Sequence, residues 1–434
     1  MAACPTAAMF RRPDGIVDFD KSACIGCKAC IAACPYDAIF INPDDHSAEK
    51  CNFCSHRIDA GLEPACVVVC PTQAIFVGDL NDPTSRATRV VNREPVQVRR
   101  PEKDTQPKVF YRGASQATLD PLAARRPEGG LFMWSEQQER AHQVTSGHPG
   151  PANSSAAAVL SYDVAHGVPW DWRVSLYTWT KGIAAGAYLV ALALVLAGAL
   201  QADGRLWLLA TPVISGALLT ATGAVLIWDL EHPLRFVYIF TRPQWRSWLV
   251  RGAVLISGYG VVLAAHFVLG LLDAGGFLRW LALVATPLAA GTAVYTGYLF
   301  AQAKGRDLWQ SPLLPPHLLV QALLAGAAAL LPVAAWLEPR SVPALLGVLA
   351  AAAAAHLLMV LGEATLSHPT SHARLAAHEL RGGRYARLFW AGVAAVALSA
   401  LAPLIGPLAA LPALAGLLLH EHAYVQAGQS VPLA

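Results

Sequence analysis

The chain has 434 residues, is 55% hydrophobic and only 14% charged, with a mean hydropathy of +0.42. Soluble proteins carry about 25% Asp, Glu, Lys and Arg, so a wholly soluble protein is excluded. A net charge of +3 gives no argument for a nucleic-acid partner. Residues 1–173 hold 38 of the 61 charged residues, and all nine cysteines lie at or before position 70. A polar, cysteine-rich head is therefore joined to an apolar body.

The head carries two motifs, Cys24-x2-Cys27-x2-Cys30-x3-Cys34-Pro35 and Cys51-x2-Cys54-x11-Cys66-x3-Cys70-Pro71. Three closely spaced thiolates can hold three irons of a cubane cluster, and a fourth cysteine followed by Pro ligates the other cluster of a pair. The endings repeat: Cys34-Pro35-Tyr36-Asp37-Ala38-Ile39-Phe40 matches Cys70-Pro71-Thr72-Gln73-Ala74-Ile75-Phe76. Cys4-Pro5-Thr6-Ala7-Ala8-Met9-Phe10 is a third copy without the three cysteines that should precede it. Disulfides would not group in this way in a cytoplasmic head. A zinc ribbon explains neither the third cysteine nor the Cys-Pro endings. The expectation is an α+β ferredoxin-like iron–sulfur domain over residues 1–94, with up to two 4Fe–4S clusters in this chain. Within the chain, Cys24, Cys27, Cys30 and Cys70 would hold one cluster and Cys34, Cys51, Cys54 and Cys66 the other.

Residues 95–172 form a linker rich in Pro, Arg, Gly, Ser and Gln, in which seven prolines from Pro95 to Pro151 exclude a long helix or strand. It can wrap the head or lie along the membrane surface, and its composition also allows disorder.

Over residues 173–434 the spacing predicts an all-α polytopic membrane bundle of about eight helices: 176–200, 206–230, 249–272, 277–301, 314–337, 342–363, 388–404 and 406–425. The last two are separated at Gly406-Pro407. An even number of spans puts both ends on one side. Ten Lys and Arg (Arg235, Arg242, Arg246, Arg251, Lys304, Arg306, Arg374, Arg381, Arg384 and Arg387) lie in loops on that side, against Arg205, Arg279 and Arg340 opposite. The positive-inside rule then makes the head cytoplasmic, on a multi-pass protein of the inner membrane. Arg11-Arg12 has no apolar run after it and is not read as an export signal.

Ionisable groups within spans mark sites and pathways. Tyr177, Trp179 and Lys181 can supply a donor and an aromatic wall to a quinone carbonyl, although Lys181 could also snorkel to the interface and Trp179 belong to the aromatic belt. Asp229 and Arg235 close the second span as an ion pair, or Asp229 transfers protons. His356 and Glu363, seven residues apart, share a helix face and form a proton path or a polar seam. His266, Tyr295, Tyr298, His317, Gln321, His420 and His422 are weaker candidates. Haem is not expected, since His266 and His356 fall at depths about 13 Å apart at 1.5 Å per residue.

These residues carry a family resemblance. The head resembles the C-terminal half of four-cluster ferredoxin subunits of molybdopterin oxidoreductases, the x11 gap marking the fourth motif of that family. The body resembles the NrfD/polysulfide-reductase membrane subunits through Leu176–Ala187, through Asp229-Leu230-Glu231-His232-Pro233-Leu234-Arg235-Phe236, and through Ala427-Gly428-Gln429. In that family the third motif pairs with the second, which implies Cys4 with Cys24, Cys27 and Cys30 as the one complete site. Cys51, Cys54 and Cys66 then lack a fourth ligand, and Cys34 and Cys70 lack their clusters, as expected of an N-terminally truncated chain or of one completed by a further iron–sulfur chain. The function implied is electron transfer between 4Fe–4S clusters and membrane quinone or quinol, with the other substrate's chemistry on a molybdopterin-type partner. A redox-driven ion translocator and a haem-containing, cytochrome-b-type anchor are the alternatives.

Overall fold

The computed structural model describes residues 1–115, 119, 168–431 and 433; the rest of the expected linker lies outside them. In the head, β1 (Met9–Arg11) pairs antiparallel with β2 (Val17–Phe19), and β3 (Phe40–Ile41) with β4 (Ala48–Glu49). Two of the three repeated endings thus run into strands. Ala74–Phe76, in the third, forms no strand. The described start of the linker is ordered by pairing β5 (Val96–Gln97) with β6 (Tyr111–Arg112). Lys103 forms an ion pair with Asp307 of the body, and Tyr36 a hydrogen bond with Thr105.

The body is built from α1 (Trp172–Leu196), α2 (Leu206–Trp228), α3 (Trp248–Leu271), α4 (Gly275–Ala301), α5 (Leu314–Leu337) and α6 (Pro339–Thr365). The polar α7 (Ser371–Arg381), the short α8 (Ala386–Ser399) and the segmented α9 (Ala402–Ser430) follow. Among the described residues seven of these helices are long and apolar enough to cross a bilayer, and α8 is a shorter apolar helix. At 14 residues α8 reaches only about 21 Å. Its run ends at Ser399 rather than at 404, because Pro403 sits in the first turn of the next helix, where its missing N–H costs nothing. The expected break at Gly406-Pro407 survives as a 3-10 turn inside α9. The helices are apolar outside as well as inside: Val261, Leu283, Trp336 and Leu404 are each at least 69% exposed. Such a surface is stable against lipid and not against water.

At the centre, α1 packs against α5. A Cβ at Gly186 would lie 1.7 Å from the Ala322 carbonyl oxygen, and one at Gly326 2.0 Å from the Gly186 carbonyl carbon. Only glycines permit that backbone approach, the means by which helices gain van der Waals contact in a bilayer.

Candidate functional site: a cluster loop docked on a membrane bundle

The Cys24–Cys30 loop sits on the end of the bundle where α2 stops. Arg235 Nη1 donates to the carbonyls of Lys21 and Cys24, both at 2.9 Å, and the His232 N–H to Ile25 O at 3.2 Å. Ile25 is buried with Leu230, Ile239 and Val250. Gly26 has a φ of +68°, and a Cβ on it would meet Glu231 Cβ at 2.4 Å, so a side chain here meets both strain and collision.

The expected Asp229–Arg235 pair is not formed. Asp229 faces Arg173 (3.2 Å) and Lys28 (3.9 Å), and Lys28 also reaches Glu231 at 2.9 Å. Arg235 turns instead to head carbonyls, which offer it fixed acceptors. The motif at the end of α2 is therefore a receptor for the cysteine loop.

The chain end converges on the same place. The Trp170 indole N–H donates to Cys27 O at 3.2 Å, and its backbone N–H to Gln429 Oε1 at 3.2 Å. Gln426 donates back to Trp170 O at 3.2 Å. Arg306 Nη1 binds the carbonyls of Gln429 and Val431 at 3.1 and 3.0 Å. Trp170, Phe300 and Trp309 form a stack with centroids 4.6–5.8 Å apart. Nothing in the sequence marked these three: they come from different segments and follow no local period.

Cys4, Cys24 and Cys34 are buried and Cys27 and Cys30 half-buried, whereas Cys51 and Cys66 are exposed. Burial, then neighbouring Cys4 and Cys24, pushes the Cys30 thiol up to about 12, and burial pushes the Cys27 thiol well above its ordinary value. Cys4, Cys24, Cys27 and Cys30 thus act on one another as one compact group, and iron binding must displace their protons. The Cys70 thiol interacts instead with its own loop: the Ile75 N–H holds it below its ordinary value, and Thr72 Oγ1 lies 3.8 Å away. The four-thiol group fits the donor set of a 4Fe–4S cluster.

Below the docked loop, α1 presents the other expected residues. Lys181 is buried two and a half turns into the helix, deeper than its place near the start of the expected span implies. Its ammonium donates to Ala293 O at 2.9 Å and Thr296 Oγ1 at 2.8 Å, and stands 4.7 Å from the Tyr295 ring centroid. Tyr177 is buried, interacts with Tyr295 and Thr296, and lies one turn above Lys181. Trp179 does not join them; its indole N–H donates to Leu414 O at 2.9 Å. Two residues along a helix is more than half a turn, so it faces another way.

A second polar group gathers on α5, α6 and α9. His317 Nε2 lies 2.9 Å from His356 Nδ1, and His317 Nδ1 lies 3.7 Å from Glu363. The shared face of His356 and Glu363 is thus bridged by a residue of α5. A cavity of about 20 Å³ is lined by Thr178, His317, Gln321, His420, Glu421 and Tyr424, among others. That is room for a water molecule and not for a quinone ring. His266 stands apart, bonded to Tyr188 (3.2 Å) and the Trp207 carbonyl (3.1 Å). His422 approaches Ser175 at 3.3 Å, and Tyr298 stacks on Trp248 at 4.4 Å.

Residues 162–416 match the polysulphide reductase, NrfD family, and residues 1–80 a 4Fe-4S dicluster domain. This protein belongs to the NrfD family. It is a multi-pass membrane protein with an iron–sulfur head. It is 45% identical over 135 residues to a subunit of tetrathionate reductase from Salmonella typhimurium, covering 31% of this sequence and 53% of that one. It is 43% identical over 111 residues to a polysulfide reductase polypeptide of Wolinella succinogenes, covering 25% and 58%. Over 109 residues it is 43% identical to protein NrfC of Escherichia coli, covering 25% and 49%. The chain spans about half the length of these curated relatives.

Two outcomes check the geometry. Cys4→Ser is expected to abolish one cluster's electron paramagnetic resonance signal and lower the iron content, while Cys70→Ser leaves that signal intact; the reverse result would restore the Cys24, Cys27, Cys30 and Cys70 set. Arg235→Ala removes two charge-assisted hydrogen bonds, each worth about 1.5–3 kcal/mol. Hydrogen-exchange protection of the Cys24–Cys30 amides should then fall by about tenfold or more; unchanged protection would mean that Arg235 does not hold the loop.

Proposed function

We propose that this chain carries electrons between 4Fe–4S clusters in its head and quinone or quinol in the membrane, as one subunit of a larger reductase. The observation that carries the reading is the seating of the Cys24–Cys30 loop on the bundle, with Cys27 bonded to Trp170 and Tyr177 and Lys181 following on α1. When bound, the clusters pass electrons singly, whereas the quinone–quinol couple exchanges two protons with every two electrons. Tyr177 and Lys181 are the donors for a quinone carbonyl. Lys181 already holds two acceptors, Ala293 O and Thr296 Oγ1, so quinone entry exchanges one of them for the carbonyl. Glu421, which acts electrostatically on Lys181, is the group that exchanges protons with this site, while Glu363 and its histidine contacts form a polar seam. The role of Asp229 is to fix Arg173 and Lys28 beneath the head.

The names of the relatives, drawn from tetrathionate and polysulfide reductases, support a catalytic partner. The resemblance of the head makes that partner molybdopterin-dependent, with Cys34, Cys51, Cys54, Cys66 and Cys70 serving clusters shared with further iron–sulfur protein. The body is read as haem-free, supported by the separation of His266 and His356 into different side-chain clusters. The loop arginines support a cytoplasmic head.

Lys181→Ala in the membrane-embedded complex is expected to slow cluster reduction by a quinol analogue at least tenfold while the cluster signals stay at full intensity. Unaltered rates would remove Lys181 from the site, and charge movement in liposomes with no quinol reaction would replace the reading by redox-driven ion translocation. Protease should remove the head from inverted membrane vesicles and spare it in right-side-out ones; the opposite pattern puts the head on the outer face.

A further inference from the structure

We propose that His317, His356 and His420 form a buried binding site for a first-row divalent transition-metal ion, separate from the iron of the head. The three imidazoles come from α5, α6 and α9 and are at most 2% exposed. One ligating atom from each can be chosen so that all lie within 4.8 Å of one another. A tetrahedral site with metal–nitrogen bonds of about 2.0–2.1 Å places its ligand atoms about 3.3 Å apart. His317 Nε2 and His356 Nδ1 stand at 2.9 Å in a hydrogen bond; an ion would take the place of the shared proton, and ring rotation has to close gaps of up to 4.8 Å.

The polar bookkeeping favours an ion. His356 Nε2 and His420 Nδ1 have no hydrogen-bond partner among the described residues. Each such buried atom costs about 1–3 kcal/mol. Of these, His420 Nδ1 can offer its lone pair to an ion; His356 would ligate through Nδ1, leaving the ring proton on Nε2. Two carboxylates stand near the cluster, and Glu363 offsets part of a dication's charge. Glu363 Oε1 lies 3.7 Å from His317 Nδ1, the arrangement in which an outer carboxylate orients a metal-bound imidazole. Glu421, adjacent to His420, lines the same small cavity, and Glu363 Oε1 and Glu421 Oε2 both lack hydrogen-bond partners among the described residues. Lys181 also acts on Glu421, which leaves Glu363 as the carboxylate dedicated to the ion. The cavity of about 20 Å³, lined by His317, His420 and Gln321 among others, has room for one water as a fourth ligand.

An all-imidazole set suits Zn²⁺, Cu²⁺ or Ni²⁺ rather than Mg²⁺ or Ca²⁺. The ion would tie three helices together and would hold the histidines uncharged.

Zn²⁺ is the probe. Full-length protein in detergent is stripped with chelator, loaded with Zn²⁺, desalted and assayed for zinc separately from iron, with zinc X-ray absorption to identify the ligands. The expected result is one zinc per chain with nitrogen and oxygen neighbours at about 2.0–2.1 Å, distinct from the roughly 2.3 Å of thiolate ligation. Zinc should also raise the thermal midpoint of the wild type but not of His420→Ala. Failure to retain zinc, or zinc bound through sulfur alone, overturns the proposal. Should His420→Ala fail to fold, the wild-type absorption spectrum still decides. A negative result leaves quinol oxidation, and the reading built on Lys181, untouched.

Discussion

The architecture depends on a set of main-chain contacts between a cysteine loop and the end of a membrane helix. Arg235 reads two head carbonyls, Gly26 lets Glu231 approach, and Trp170 binds the carbonyl of Cys27. Backbone acceptors are fixed in space once the loop is wound around its thiols. The guanidinium therefore recognises a conformation of the loop rather than a side chain. Lys28, Asp229, Glu231 and Arg173 surround this contact with charges of both signs. Such pairs add little strength where water reaches them, but they set the register of one part upon the other.

The three stretches of the body that carry the family likeness meet here. The opening helix supplies Tyr177 and Lys181, the end of α2 supplies the loop receptor, and the chain end closes around Trp170 through Gln426 and Gln429. Segments far apart in the sequence thus surround the junction between the iron–sulfur part and the lipid-embedded part. The aromatic stack of Trp170, Phe300 and Trp309 fills the space between them with apolar surface.

Composition and spacing made the two-part division, the cysteine groups and the approximate spans legible in the sequence, because each rests on a local pattern. The partners of Asp229 were not legible. Arg235 is six residues away and of the right sign, yet the groups that face Asp229 lie 56 and 201 residues earlier in the chain. Trp179 was grouped with Tyr177 and Lys181 by proximity in sequence, and helical rotation carries it to another face. His317 and His420 gained weight only when α5, α6 and α9 met, since no period links residues on three different helices. Cys4 stood out through its repeated ending, but spacing within the chain put Cys70 with Cys24, Cys27 and Cys30; only the family resemblance implied Cys4 in that place.

The glycine contact between α1 and α5 has a mechanical consequence. With Gly186 against Ala322 and Gly326 against Gly186, these helices have no slack to slide or separate without losing their closest packing. They behave as a single keel through the bundle, with Lys181 on one member and His317 on the other at a set spacing. Any breathing that admits a large lipid-soluble molecule must come from the walls on either side of that keel, where α4 and α9 lean against it.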